Sequence, residues 1–223
     1  MCVILHRTEG VEVDWEDLLA CYEANPDGCG LMWFDGPSVL HSRGLWGEDE
    51  FLNRVYDLGQ REYVLHLRWC THGGVNYANC HPFSIGGGGY VVHNGILQIA
   101  QHRKDRSDTW HFASNLRKLG YAAKLDDERI VRAIERAHGC CNKLAFALPG
   151  GRVIRTGHWQ EFAGCQWSNL NWQACRIQDY QDYRIEYESD VLTDWESDKL
   201  ERTGRILDDE YAPWDRRWDY MRR

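Results

Sequence analysis

Hydrophobic positions early in the chain come in short runs, too brief for long helices and suited to strands. Residues 2–7 (CVILHR) form such a run and predict a buried strand. A helical spacing follows to about Glu23, with Asp14 placed to cap it and Asp17 adding a favourable negative charge in the first turn. Asn25-Pro26-Asp27-Gly28 is a turn, since Pro restricts the backbone and Gly frees it. Strand-like segments are expected at 29–34 and 38–43, a helix over 47–58, and a β-prone, partly alternating segment over 62–69. Gly86 to Gly89 reads as a hairpin loop leading into a strand at 90–93. It lacks the helix start with Lys-Ser/Thr that a phosphate cradle needs.

Further on, Asp108 to Leu119 predicts a helix ended by Gly120. The clearest amphipathic pattern runs from Asp126 to His138, with Ile130, Ala133, Ile134 and Ala137 on one face. Residues 143–148 and 152–155 flank Pro149-Gly150-Gly151 and predict a hairpin, and 158–175 carry three Trp and further short strands. The mixture of short strands and helices supports an α+β class. The aliphatic pattern thins near residue 176. Residues 2–175 are expected to form one domain, and 176–223 an acidic, aromatic-rich C-terminal arm.

Charge sharpens this division. The chain carries 26 Lys+Arg against 34 Asp+Glu, a net of −8. Residues 176–223 hold 9 basic and 14 acidic side chains, so most of the excess lies in the arm. Such a balance argues against nonspecific nucleic-acid binding and against docking on anionic membranes. The first apolar run is too short for a cleavable signal, and no stretch approaches the length of a membrane helix. A cytoplasmic protein with reduced thiols is expected. The 223 residues contain nine cysteines and no C-x-x-C, so neither a zinc site nor any other metal is expected. Most of the cysteines are expected to be small buried residues.

Cys2 is different. A small second residue suits removal of Met1, which leaves a thiol and an α-amine on one residue. The amine's pKa of about 7.7–8.0 lets it serve as a base near neutral pH. Other candidate residues cluster in short motifs: His66 to Gly73 (HLRWCTHG), Asn79 to Phe83 (NCHPF), His93-Asn94-Gly95 and Ser107-Asp108-Thr109. Arg68 offers a forked cation suited to a carboxylate, and Asp108 an anion suited to an ammonium group. Asn94 and the N–H of Gly95 offer two donors to a developing oxyanion. Brought together beside a thiol, these groups describe a pocket for an α-amino acid with a reactive side-chain carbonyl.

In this order, Cys2, NPDGCG, HLRWCTHG, NCHPF, HNG and SDT resemble the class II glutamine amidotransferases, of the N-terminal-nucleophile hydrolase superfamily, in particular short stand-alone members of the bacterial and phage type. The ordered set spans residues 2–109 and extends to about 175 through GGRV and WSN. The resemblance implies a four-layer αββα sandwich and hydrolysis of the side-chain amide of L-glutamine without a cofactor. Cys2 would be the nucleophile and, through its amine, the base, passing through a γ-glutamyl thioester. Asn94 and Gly95 would form the oxyanion hole, and Arg68, Trp69, Thr71, His72 and Asp108 would bind the substrate. Ammonia would pass to a separate synthase. Two other functions fit the same residues, a stand-alone γ-glutamyl amide hydrolase and a non-catalytic binding module that retains the fold.

Several local features depart from the family pattern or stand beside it. Asn25-Pro26 replaces the common Arg-Gly, and Cys70 replaces a common Ala and is expected to be buried. His66 and His93 are expected to be structural, as is the Cys140-Cys141 pair after a helix end.

Overall fold

The computed structural model describes residues 1–70 and 74–175. Among the described residues, ten strands form two antiparallel sheets. In chain order they are β1 (Val3–Arg7), β2 (Cys29–Asp35), β3 (Ser38–Leu45), β4 (Tyr63–Leu67), β5 (Phe83–Gly86), β6 (Gly89–Asn94), β7 (Lys143–Leu148), β8 (Arg152–Thr156), β9 (Gln160–Phe162) and β10 (Cys165–Trp167). The helices are α1 (Trp15–Ala24), α2 (Glu48–Leu58), α3 (Asp108–Lys118) and α4 (Glu128–His138). One sheet has the order β3-β2-β4-β1-β10-β9 and the other β5-β6-β7-β8.

Side-chain alternation along the strands builds the layers. Val3 and Leu5 of β1, with Tyr63, Leu65 and Leu67 of β4, pack against Leu18 and Cys21 of α1 and Phe51 and Val55 of α2. Ile4 and Val64 point the other way and meet Val92, Ala145 and Ala147 between the two sheets. The outer face of the second sheet, with Val91, Leu144, Phe146 and Leu148, packs on Phe112, Ala113 and Leu116 of α3. Ile130, Val131 and Ile134 of α4 cover part of the same face. The order of layers is helix, sheet, sheet, helix, the four-layer αββα sandwich. Every residue of β1 and of β4 is buried, because each strand is covered on both faces.

Local signals account for most boundaries. The Asp14 side chain accepts from Glu16 N and opens α1. Asn25 closes that helix: its N–H donates to Tyr22 O and its Nδ2 to Cys21 O. Ser107 caps α3 by accepting from Trp110 N. Glycines at positive φ carry the β5–β6 turn, with Gly87 at 59° and Gly88 at 76°.

The sequence reading needs several corrections. In α4 the packed residues are Ile130, Val131 and Ile134, while Ala133 and Ala137 are exposed. A methyl group reaches too short a distance to touch the sheet from the edge of the apolar stripe. Among the cysteines, Cys21, Cys29, Cys80 and Cys165 are buried. Cys140 and Cys141 are exposed, because they lie in the turn between α4 and β7 rather than beneath it. Cys70 is half-buried instead of enclosed. Two short 3-10 turns, Tyr77–Asn79 and Tyr121–Lys124, were not foreseen. No helix among the described residues is long and apolar enough to cross a membrane. Thr71, His72 and the 176–223 arm lie outside the described residues.

Candidate active site

The site is assembled where the start of β1, the end of β4 and the end of β6 meet. Cys2 stands immediately before β1, a central strand whose partners are β4 and β10. The register sets Val3 opposite Leu67, so Cys2 falls beside the chain leaving β4. Trp69 N donates to Cys2 Sγ at 3.4 Å, and the thiol faces Trp69 O at 3.5 Å. Burial pushes the Cys2 thiol above its ordinary range. The Trp69 N–H, the Arg68 guanidinium and the chain's amino terminus oppose that rise without cancelling it. At neutral pH the sulfur therefore holds its proton, and a nucleophilic role for it requires a base nearby.

Arg68 is buried and lies one residue beyond β4. Its Nη1 donates to Gly74 O at 3.0 Å, and its Nη2 contacts Cys70 Sγ at 3.3 Å. The half-buried Cys70 is thus a partner of the guanidinium. The turn that follows α1 braces the same segment: Asp27 Oδ2 accepts from Cys70 N at 2.7 Å, and Asp27 N donates to Arg68 O at 3.0 Å. Arg68 N in turn donates to Gly28 O at 2.9 Å. Gly28 has φ +117°, and a Cβ there would meet Cys80 Sγ at 2.6 Å and the Trp46 ring at 2.9 Å. The turn therefore needs glycine for both its backbone angle and its space. The Trp69 side chain is 47% exposed, so its backbone rather than its ring touches the thiol.

Asn94 closes β6 and is buried, whereas Gly95 is exposed. Asn94 Nδ2 donates to Ser168 Oγ at 2.9 Å. An amide nitrogen carries two hydrogens, so this bond fixes the group and leaves the second hydrogen for another acceptor. Ser168 Oγ also accepts from Ile4 N at 2.8 Å, and Ser168 N donates to Ile4 O at 2.9 Å. Next to it, Asn169 Nδ2 donates to Cys2 O at 2.9 Å. Two adjacent residues therefore hold Asn94 and the Cys2 backbone in one frame.

Asp108 is the first residue of α3. Its Oδ2 accepts from Leu97 N at 2.7 Å, and its Oδ1 from Thr109 N at 2.7 Å. These bonds tie the loop after Gly95 to the helix start. His93 lies behind the loop, buried, and contacts Thr109 Oγ1 at 2.9 Å and Asn142 Oδ1 at 2.9 Å. His66 Nε2 faces His93 O at 3.0 Å across the sheet interface. Burial depresses His66 to about 3 and His81 well below its ordinary range, so both rings are neutral. A neutral His66 donates that bond through Nε2–H.

Of the residues singled out in the sequence, Cys2, Arg68 and Trp69 are brought together directly, and Asn94 joins them through Ser168. Gly95 follows Asn94, and Asp108 is held against that loop through Leu97 N. Asp27 and Thr109 lie in motifs singled out in the sequence without a role of their own, and no role was expected of Asn142, Ser168 and Asn169. The WSN segment contains the last two and was noted only as an extension of the resemblance. No group of acidic, His and Cys side chains suited to a metal ion occurs among the described residues.

No family model matches the chain. Curated relatives do. Glutamine–fructose-6-phosphate aminotransferase (isomerizing) from Xanthomonas campestris is 36% identical over 85 residues, covering 37% of this chain and 12% of that protein. The enzyme of the same name from Neisseria meningitidis serogroup B is 37% identical over 91 residues, or 40% and 12%. That from Staphylococcus epidermidis is 30% identical over 112 residues, or 48% and 17%. The matched segment thus spans less than a fifth of these relatives' length. The solved structure of a glutamine aminotransferase class-II domain protein from Silicibacter pomeroyi aligns with 75% of this chain and 86% of its own, at TM-score 0.37 and 17% identity. That overlap is too loose to carry an argument, and the weight rests on the sequence matches and on the ordered motifs. The chain is thus similar, over less than half of its length, to glutamine–fructose-6-phosphate aminotransferases, and its ordered motifs resemble those of the class II glutamine amidotransferases.

Proposed function

We propose that this protein hydrolyses the side-chain amide of L-glutamine and that the ammonia is used by a separate synthase. The observation that carries the reading is the seating of Cys2 Sγ on the Trp69 backbone, one residue from the buried Arg68, with Asn94 locked to the same strand through Ser168. The curated relatives are named for a glutamine-dependent amino transfer, which supports the same substrate.

Met1 is 66% exposed, which suits its removal. The freed amine of Cys2 takes the thiol proton, which burial otherwise holds in place. The sulfur attacks the γ-carbonyl carbon, and the oxyanion forms against Asn94 Nδ2–H and Gly95 N–H. Arg68 binds the α-carboxylate and Asp108 the α-ammonium, with Trp69, Thr71 and His72 lining the pocket. The amine returns its proton to the leaving nitrogen, the C–N bond breaks, and ammonia departs from a γ-glutamyl thioester. Water then cleaves the thioester, releases glutamate and restores the thiol. Residues 176–223 are proposed as the acidic arm beyond this glutaminase domain, in the cytoplasm.

The test is covalent labelling by a glutamine-analogue electrophile, read by intact mass beside glutaminase turnover. Labelling and turnover are expected in protein lacking Met1 and lost in Cys2→Ala. Full turnover in protein that retains Met1 would break the amine-base mechanism. Faster release from γ-glutamyl amines than from glutamine would instead favour a stand-alone γ-glutamyl amide hydrolase. Absence of both labelling and turnover in processed protein would leave a binding module.

A further inference from the structure

Gly95 has φ +143°, and a Cβ built on it would lie 2.3 Å from Asn142 Oδ1 and 3.0 Å from His93 Nε2. Those two atoms therefore occupy the space where a side chain would stand on the residue whose N–H is the proposed oxyanion donor. They also contact one another at 2.9 Å.

Asn142 is fixed from three sides. Its Nδ2 donates to His138 O, at the end of α4, at 2.6 Å, and its N donates to Gly139 O at 3.2 Å. Gly157 sits so close that a Cβ there would lie 2.4 Å from Asn142 O. With Nδ2 committed to a carbonyl, Oδ1 is the atom that faces His93, so His93 Nε2 carries a hydrogen. Burial lowers the His93 pKa although Asp108 and Asn142 oppose it, so the ring is neutral near pH 7 and its Nδ1 is an acceptor. The single Thr109 hydroxyl proton then goes to Nδ1, at 2.9 Å, while Thr109 N donates to Asp108 Oδ1 at 2.7 Å. An unbroken line of contacts runs from Asn142 through His93 and Thr109 to Asp108.

We propose that Asn142 is a positioning residue for glutamine hydrolysis: it orients the Gly95 N–H through its contact with that residue and through His93. The inference rests on the glutaminase reading of the site. Asn142 touches neither substrate nor nucleophile, so its effect falls on the step in which the oxyanion develops and leaves substrate binding intact.

The test is Asn142→Ala in the processed full chain, with kcat and KM for glutamine measured separately and the His93 ring tautomer read by nitrogen-15 NMR. Loss of a whole oxyanion donor costs on the order of 10²–10³ in rate, so a displaced donor is expected to cost about tenfold in kcat, with KM within about twofold. The ring, Nε2–H in the parent, is expected to become a mixture of tautomers. An unchanged kcat and an unchanged tautomer would overturn the proposal. If Asn142→Ala does not fold, Asn142→Gln keeps the amide but displaces its oxygen from Nε2, and its kcat is expected to fall severalfold with KM within about twofold. A folded Asn142→Gln with the kcat and tautomer of the parent would overturn the proposal equally. A parent that neither hydrolyses glutamine nor labels at Cys2 would remove the reading of the whole site. An active parent beside an unaffected Asn142→Ala would remove this inference alone.

Discussion

The helices over the six-stranded sheet and those over the four-stranded sheet are seated to different depths. α1 buries Leu18, Ala20 and Cys21, and α2 buries Phe51, Leu52, Val55 and Leu58. On the other side α3 buries Phe112, Ala113 and Leu116, but α4 has no fully buried residue. The strand that presents Cys2 thus lies under two deeply packed helices. The strand that presents Asn94 lies under one deep and one shallow helix. The shallow helix nevertheless ends on the His138 carbonyl that holds Asn142. Depth of packing and nearness to the chemistry are separate properties here, and substitution can separate them.

The largest effect on folding is expected at Leu18, 1% exposed beneath the sheet that presents Cys2. Leu18→Ala leaves a cavity there and is expected to cost about 2–5 kcal/mol in denaturant unfolding. A loss below 1 kcal/mol would break the contrast. Asn94→Ala tests the chemical side. It is expected to lower kcat by on the order of 10²–10³, or about 2.7–4 kcal/mol of transition-state stabilisation. Near-normal turnover would remove Asn94 from the oxyanion role.

Acid stability tests the seam between the sheets. His66 is held at about 3, His81 well below its ordinary range and His93 below it, each chiefly by burial. The folded state keeps these rings neutral, while the unfolded chain protonates them near pH 6.5. Their contribution is therefore complete above about pH 6.5 and is lost as pH falls, at up to about 1.4 kcal/mol per pH unit for each ring. Unfolding free energies between pH 7 and pH 5 check this, and a flat profile would contradict it. The smallest effect belongs to the shallow helix. Ile134 is only partly buried, so Ile134→Ala is expected to cost about 1 kcal/mol or less. A cost equal to that of Leu18→Ala would erase the distinction between the two layers.

Much of the architecture was legible because local chemistry dictated it. The apolar run before Arg7 became β1, Asp14 capped α1, and the four glycines turned β5 into β6. Periodicity marked the 126–138 helix as amphipathic but overstated its apolar face, since Ala133 and Ala137 match the spacing without the reach. The site was legible as a set of motifs, and its framework was not. Ser168 meets Ile4 across 164 positions, and Asn142 meets His93 across 49. Neither pairing leaves a local trace, because the strand order that creates it is a property of the whole chain. The layer order likewise depends on both faces of each sheet being covered, which alternation within one strand cannot show.

The bonds between Ile4 and Ser168 set a timetable for synthesis. β1 gains its β4 partner once residue 67 has left the ribosome, but its other edge stays open until β10 follows, about a hundred residues later. Throughout that interval the start of the chain is held on one side only, and Asn169 has not yet closed over the Cys2 carbonyl. The frame that joins Asn94 to the Cys2 backbone is complete only when β10 and Asn169 have arrived.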